Sequence, residues 1–226
     1  MVKRYNGVDI LLGKRCNNNC RHCSAYSPQN KIFEKNKIID ELLIGKKHNK
    51  NTVFFSGGEP TMHGDLINFI KFAKTIGYVN IMVASNGRLF IYENYCKKII
   101  EAGANIFYIA IFSTKERVHD YITRTKGSCK QSLGGIKNLL KFSENVYINI
   151  VIMKDNFKYL FDTIDALLNL GIKHINLSMV RPEGKTEDKY NDFAPRLSEL
   201  RIQLNKIVSE RKFKCLNTTF NRIPLC

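Results

Sequence analysis

The chain has 226 residues, 44% of them hydrophobic and 25% charged, ordinary proportions for a globular protein that buries a core without staples. The opening MVKRYNGVDILLGKR lacks the apolar run of a signal peptide, and no later stretch approaches the length of a membrane span, so the expected location is cytoplasmic, with no membrane partner. Net charge is +16, from 36 Lys and Arg against 20 Asp and Glu; it fits a polyanion partner such as nucleic acid, but the basic residues are scattered, and background composition is the favoured reading.

In chain order, six short runs rich in Val, Ile, Phe and Tyr read as strands: VDILLG (8–13), TVFFS (52–56), VNIMVAS (79–85), NIFYIAIFS (105–113), VYINIVIM (146–153) and HINLSMV (174–180). Near-continuous apolarity is how strands of a covered parallel sheet read. Between them lie helical spacings that stop at glycine: 65–73 leading to Gly77, 93–102 ending at Gly103, and 159–170 ending at Gly171. Strand, helix, glycine, strand in repetition predicts an α/β fold with a parallel sheet. Six units rather than eight predict a partial (β/α)6 barrel, TIM-like, with a doubly wound open sheet as runner-up. After Val180 the polar RPEGKTEDKYNDFAP reads as a linker over 182–195, dividing a core of residues 1–181 from a C-terminal helical extension and tail over 196–226.

Seven cysteines are unevenly placed. Cys16, Cys20 and Cys23 cluster, whereas Cys96, Cys129, Cys215 and Cys226 stand singly. That spacing excludes a small disulfide scaffold and points to metal ligation in a reducing compartment. Thiolates suit iron–sulfur clusters, zinc or copper(I). A structural zinc wants four ligands, which Cys215 or Cys226 would have to complete. A [4Fe–4S] cluster held by three thiolates instead keeps one iron open. Downstream, FFSGGEP ends the second predicted strand: Gly57 and Gly58 lack a Cβ and allow close backbone approach, and Glu59 attracts an ammonium.

These residues carry a resemblance. CNNNCRHC (16–23) matches the CxxxCxxC signature of the radical S-adenosylmethionine superfamily, with His22 in the place often held by an aromatic, and GGE (57–59) resembles its amino-group motif. The core is similar to the molybdenum-cofactor and peptide-maturase branch. The resemblance implies a [4Fe–4S] cluster on Cys16, Cys20 and Cys23, and S-adenosylmethionine contacted by His22, Gly57, Gly58, Glu59, Ser85, Asn86, Ser113, Asn149 and Met179. It implies reductive cleavage of the cofactor to a 5′-deoxyadenosyl radical that abstracts hydrogen from a substrate, a peptide among the candidates. It also implies an electron donor such as a flavodoxin or ferredoxin. No side chain is expected to act as acid or base. Cys215 and Cys226 either begin a truncated auxiliary region or are buried thiols. The alternatives are an RNA-modifying or nucleic-acid-binding protein and a zinc-stabilised module. RNA modification is compatible with radical chemistry, but the chain shows no appended RNA-binding motif; the zinc module leaves unexplained why Cys16–Cys23, Gly57–Glu59, Ser85–Gly87, Ser113 and Met179–Arg181 all fall at or just beyond predicted strand ends, the face on which (β/α) barrels build active sites.

Overall fold

The structure, a computed structural model, describes residues 6–29, 31–209 and the backbone of 217–221. Strands β1 (Gly7–Leu11), β2 (Thr52–Ser56), β3 (Asn80–Ser85), β4 (Ile106–Ala110), β5 (Val146–Ile152) and β6 (His174–Met179) pair in parallel, each with the next. Sequential order with helical crossovers is the (β/α) pattern expected from the sequence, an open, partial TIM-like barrel. A seventh strand, β7 (Asn217–Asn221), adds to β6 in the same sense. Its sequence NTTFN has no apolar run and was not expected as a strand.

Helices α1 (Lys35–Lys47), α2 (Leu66–Thr75), α3 (Glu93–Ala102), α4 (Glu116–Thr123), α5 (Ser128–Leu140) and α6 (Leu160–Asn169) fill the crossovers. They cover one sheet face, on which Ile10, Phe55, Val83, Phe107, Ile109, Ile148, Ile150 and Leu177 are fully buried. Burial alternates along the strands, residue by residue in β5. The opposite, concave face carries half-buried groups, Phe54, Tyr108, Tyr147 and Asn149 among them. No Lys or Arg occurs in β1–β6. Among the described residues no helix is long and apolar enough to cross a membrane.

Beyond β6, residues 181–195 hold a 3₁₀ turn, Gly184–Thr186, and the short α7 (Tyr190–Phe193). Phe193 is buried in a second cluster with Phe112, Ile122, Met153 and Val180. The last helix, α8 (Leu197–Ser209), sends Leu200 and Ile207 into the main core. Cys96 and Cys129 are buried thiols; Cys215 and Cys226 lie outside the described residues.

Asp120 anchors the α4–α5 corner. Its carboxylate accepts from Gly127 N (2.5 Å), Ser128 Oγ (2.8 Å) and Cys129 N (2.8 Å). Burial raises its pKa, but these donors outweigh burial and hold it below the usual value. A depressed carboxylate stabilises the fold above its unfolded pKa of about 3.9, and that contribution is lost as pH falls through the lower folded value. Asp120→Asn is therefore expected to cost about 1–2 kcal/mol at neutral pH, with the difference from the parent chain shrinking below about pH 4, read by urea unfolding across pH.

Candidate active site

The segment Gly13–Ser24 has almost no internal secondary structure, so its backbone groups must find partners elsewhere. Three segments that follow strands, and the end of helix α4, supply them. After β2, Gly58 N donates to Gly13 O (2.9 Å) and Glu59 N to Arg15 O (2.8 Å). At the end of α4, Thr123 O accepts from Asn19 N (3.0 Å) and Ile122 O from Arg21 N (2.9 Å). After β3, Asn86 Nδ2 donates to Asn17 Oδ1 (2.6 Å), and Arg88 Nη1 bonds Asn17 O and Asn18 Oδ1. After β6, Lys185 N donates to Cys23 O (3.1 Å), while Lys185 Nζ reaches Asn19 Oδ1 and Cys20 O (3.1 Å).

This packing explains the glycines. A Cβ on Gly57, at φ +124°, would lie 2.5 Å from Gly13 O, and one on Gly58 would overlap the Arg15 carbonyl. Gly184, at φ +60°, would likewise meet the Cys23 carbonyl. Close approach is thus required by the cysteine loop itself, beside any contact with a ligand.

Glu59 is 4% exposed. Its Oε1 accepts from Thr61 N (3.1 Å), Thr61 Oγ1 (2.6 Å) and Ser85 Oγ (2.8 Å), and its Oε2 from Asn86 N (2.7 Å). Burial pushes its carboxyl up despite these donors. The carboxylate thus ties the end of β2 to the turn after β3, where Ser85 and Asn86 sit. Asn86 in turn points Nδ2 toward Cys16 Sγ (3.9 Å), which also accepts from Asn18 N (3.3 Å).

The three clustered cysteines line one cavity of about 320 Å³. Burial pushes Cys16 up to about 11 and Cys20 to about 12, and raises Cys23 as well; neighbouring thiols push Cys16 and Cys20 further the same way, whereas Lys185 and Lys14 pull Cys23 down. Among the described residues no three His, Cys, Asp or Glu side chains converge on a single ion. A cavity lined by three cysteines fits a thiolate-held inorganic cluster. Among the described residues two buried side-chain atoms lack a partner, Asn18 Nδ2 and His22 Nδ1, and both belong to this loop. Buried polar atoms without partners mark places where a ligand completes the bonding. His22 packs edge-on against Phe112, with burial holding its pKa down at about 4, so it is neutral.

Other expected contacts lie apart. Ser113 is fully buried three residues past β4, its hydroxyl near Thr163 Oγ1 (3.4 Å) and accepting from Lys115 N (3.1 Å). The chain leaves β4 early because Phe112 N turns to His119 Nδ1 (3.3 Å), which aims Ser113 at α6 rather than the cysteines. Asn149 faces the concave side, its Oδ1 accepting from Asn176 (2.6 Å), Tyr108 (3.5 Å) and Ser178 (3.5 Å). Met179, 7% exposed, lines a cavity of about 790 Å³ with Val180 and Arg181. Arg88 and Lys185 were not singled out from the sequence; their only signal is position, directly after the Asn-Gly turn and the RPEG segment.

A family model described as the radical SAM superfamily matches residues 10–167. The chain belongs to the radical SAM superfamily, and it is an enzyme. A probable GTP 3′,8-cyclase of Saccharolobus solfataricus is 26% identical over 225 residues, covering 95% of this chain and 72% of the relative. Among solved structures, Streptococcus suis SuiB bound to precursor peptide SuiA superposes with a TM-score of 0.78 at 16% identity, over 95% of this chain and 48% of SuiB. The protein anSMEcpe, with bound AdoMet and Cp18Cys peptide, gives 0.73 at 14% identity, over 89% and 58%. This radical SAM chain therefore spans about half the length of the solved structures it matches, and those likenesses establish its fold.

Gly58→Ala is expected to dislodge the cysteine loop from the β2 turn while leaving the sheet formed. The thiol-reactive dye 5,5′-dithiobis(2-nitrobenzoate) should then modify Cys16, Cys20 and Cys23 of the metal-free chain several-fold faster, with unchanged far-ultraviolet circular dichroism.

Proposed function

We propose that Cys16, Cys20 and Cys23 hold a [4Fe–4S] cluster, that S-adenosylmethionine binds at the strand ends beside it, and that the substrate is a peptide seated on the concave face. The observation that carries this reading is the single cavity lined by three cysteines on a loop braced from the segments after β2, β3 and β6 and from the end of α4. Cys16, Cys20 and Cys23 would hold the cluster, which would supply one-electron reduction of S-adenosylmethionine and with it radical hydrogen-abstraction chemistry.

The chain's own groups then have distinct tasks. Asn18 N and the Asn86 amide donate to Cys16 Sγ, stabilising its thiolate against the burial that opposes ionisation. Glu59 fixes Ser85 and Asn86 in register with that sulfur. Gly57 and Gly58 keep the β2 turn against the loop, so the cavity floor is backbone rather than side chain. His22 and Phe112 close the inner side and exclude water. Met179 and Val180 offer an apolar wall to an adenine ring. Asn149, with Asn176, Tyr108 and Ser178, presents a hydrogen-bonding patch on the concave face.

The peptide is supported by the peptide-bound relatives in structure and by this concave face: aromatic and amide groups without Lys or Arg suit a neutral backbone better than a polyphosphate. A nucleotide substrate is the second reading, favoured by the name of the Saccharolobus relative and the net charge of +16. A low-potential flavodoxin or ferredoxin would deliver the electron.

Anaerobic reconstitution should load about four irons and four sulfides per chain. Cys16→Ala, Cys20→Ala or Cys23→Ala should each abolish loading. With dithionite and S-adenosylmethionine the loaded chain should form 5′-deoxyadenosine. Stoichiometric zinc without iron would overturn the reading.

A further inference from the structure

Of the two orphaned atoms at the cysteine loop, His22 Nδ1 can donate or accept according to tautomer, whereas Asn18 Nδ2 can only donate. The surrounding side chains also dictate where Asn18 Nδ2 points. Asn18 Oδ1 accepts from Arg88 Nη1 (2.9 Å), which bonds Asn17 O as well. A guanidinium has donors and no acceptor, so the amide cannot turn its nitrogen toward Arg88. Nδ2 is therefore committed to the side away from Arg88, where it is buried and, among the described residues, has no partner.

The clamp on this amide is itself fixed. Arg88 Nε donates to Gln131 Oε1 (2.6 Å) on α5, and Arg88 forms no ion pair among the described residues. Its charge, not neutralised by a carboxylate, polarises the amide it holds and strengthens Nδ2 as a donor. A buried donor left unmade costs free energy, so a donor held in that state marks a place where a bound group supplies the acceptor.

The neighbouring acceptor is sulfur. Asn18 lines the cavity of Cys16, Cys20 and Cys23, and its backbone N already donates to Cys16 Sγ (3.3 Å). The side-chain amide therefore stands beside the same thiol with its own hydrogen still to place. A cluster on these cysteines brings inorganic sulfides that carry negative charge.

Resting on the cluster reading above, we propose that Asn18 Nδ2, aimed by Arg88, donates to a sulfur of the cluster bound at Cys16 and raises its reduction potential. Reduction adds one electron, from an external low-potential reductant, to a group that three thiolates already make anionic. The added charge spreads onto sulfur, so a donor to sulfur stabilises the reduced form more than the oxidised one. Burial works the other way, because a low dielectric disfavours the more highly charged state. Asn18 offsets that cost as a neutral donor, and Arg88 is a positioning residue that acts through it.

The test is a redox titration of reconstituted chains without S-adenosylmethionine, followed by the electron paramagnetic resonance signal of the reduced cluster. Asn18→Leu keeps the side-chain size and the backbone donor to Cys16 but removes Nδ2. It should load iron as the parent chain does. At equal potential its ratio of reduced to oxidised cluster should be about three- to tenfold lower, a downward shift of about 30–60 mV for a one-electron couple. Electron–nuclear double resonance should show one exchangeable proton fewer at the reduced cluster. Asn18→Ala gives the same readout where Asn18→Leu does not load. Arg88→Met should lower the ratio in the parent background and by much less in the Asn18→Leu background; an equal effect in both overturns the positioning role. Equal potentials in the loaded parent and Asn18 variants, or a shift confined to samples containing S-adenosylmethionine, overturn the proposal. A parent chain that loads no iron overturns the cluster reading, and the proposal with it, at the iron count before any titration.

Discussion

An irregular loop that carries three half-buried thiols cannot satisfy its own backbone, and that constraint organises this protein. Asn19 N, Arg21 N and the carbonyls of Gly13, Arg15, Cys20 and Cys23 all find partners on segments that follow β2, β6 or end α4. Each unpaired buried backbone group costs about 1–3 kcal/mol, so the loop is stable only where several strand ends converge. Parallel strands in sequential order provide that convergence, since every strand delivers its following loop to the same rim. The barrel is thus the frame that gives a structureless ligand loop one conformation.

The same constraint explains which features were legible from sequence. Cysteine spacing and the glycine pair are chemical signals: clustered thiolates suit soft metals, and only a missing Cβ lets the β2 turn touch the Arg15 carbonyl. The six core strands were legible because one face of each is continuously apolar under helices. β7 was not, because NTTFN offers neither an apolar run nor alternation. Ser113 shows a different limit. Its place beyond a strand end was readable, but its direction depends on His119 drawing Phe112 N out of the ladder seven residues away in sequence.

Arg88 and Lys185 were invisible for a statistical reason. In a chain with 36 Lys and Arg, one more cation in a loop carries no signal. Only the fold reveals that Arg88 bonds Asn17 and Asn18 while Lys185 bonds Asn19 and Cys20, gripping the loop from opposite ends. The sequence assigned Glu59 to an ammonium; the structure adds a role, since its carboxylate already receives four donors from Thr61, Ser85 and Asn86.

Electrostatics at the loop are balanced between opposing demands. Burial disfavours the thiolates that cluster ligation requires, pushing Cys16 to about 11 and Cys20 to about 12. Filling the loop with lysines would ionise the thiols readily, but it would also leave several buried ammonium groups competing with a cationic metal. The chain places neutral donors, Asn18 N and the Asn86 amide, at Cys16 Sγ and ties one of the two nearby ammonium groups, Lys185, to carbonyl and amide oxygens of the loop. On the proposed reading a bound cluster would supply most of the stabilisation of the sulfur charge, which would couple loop order to loading.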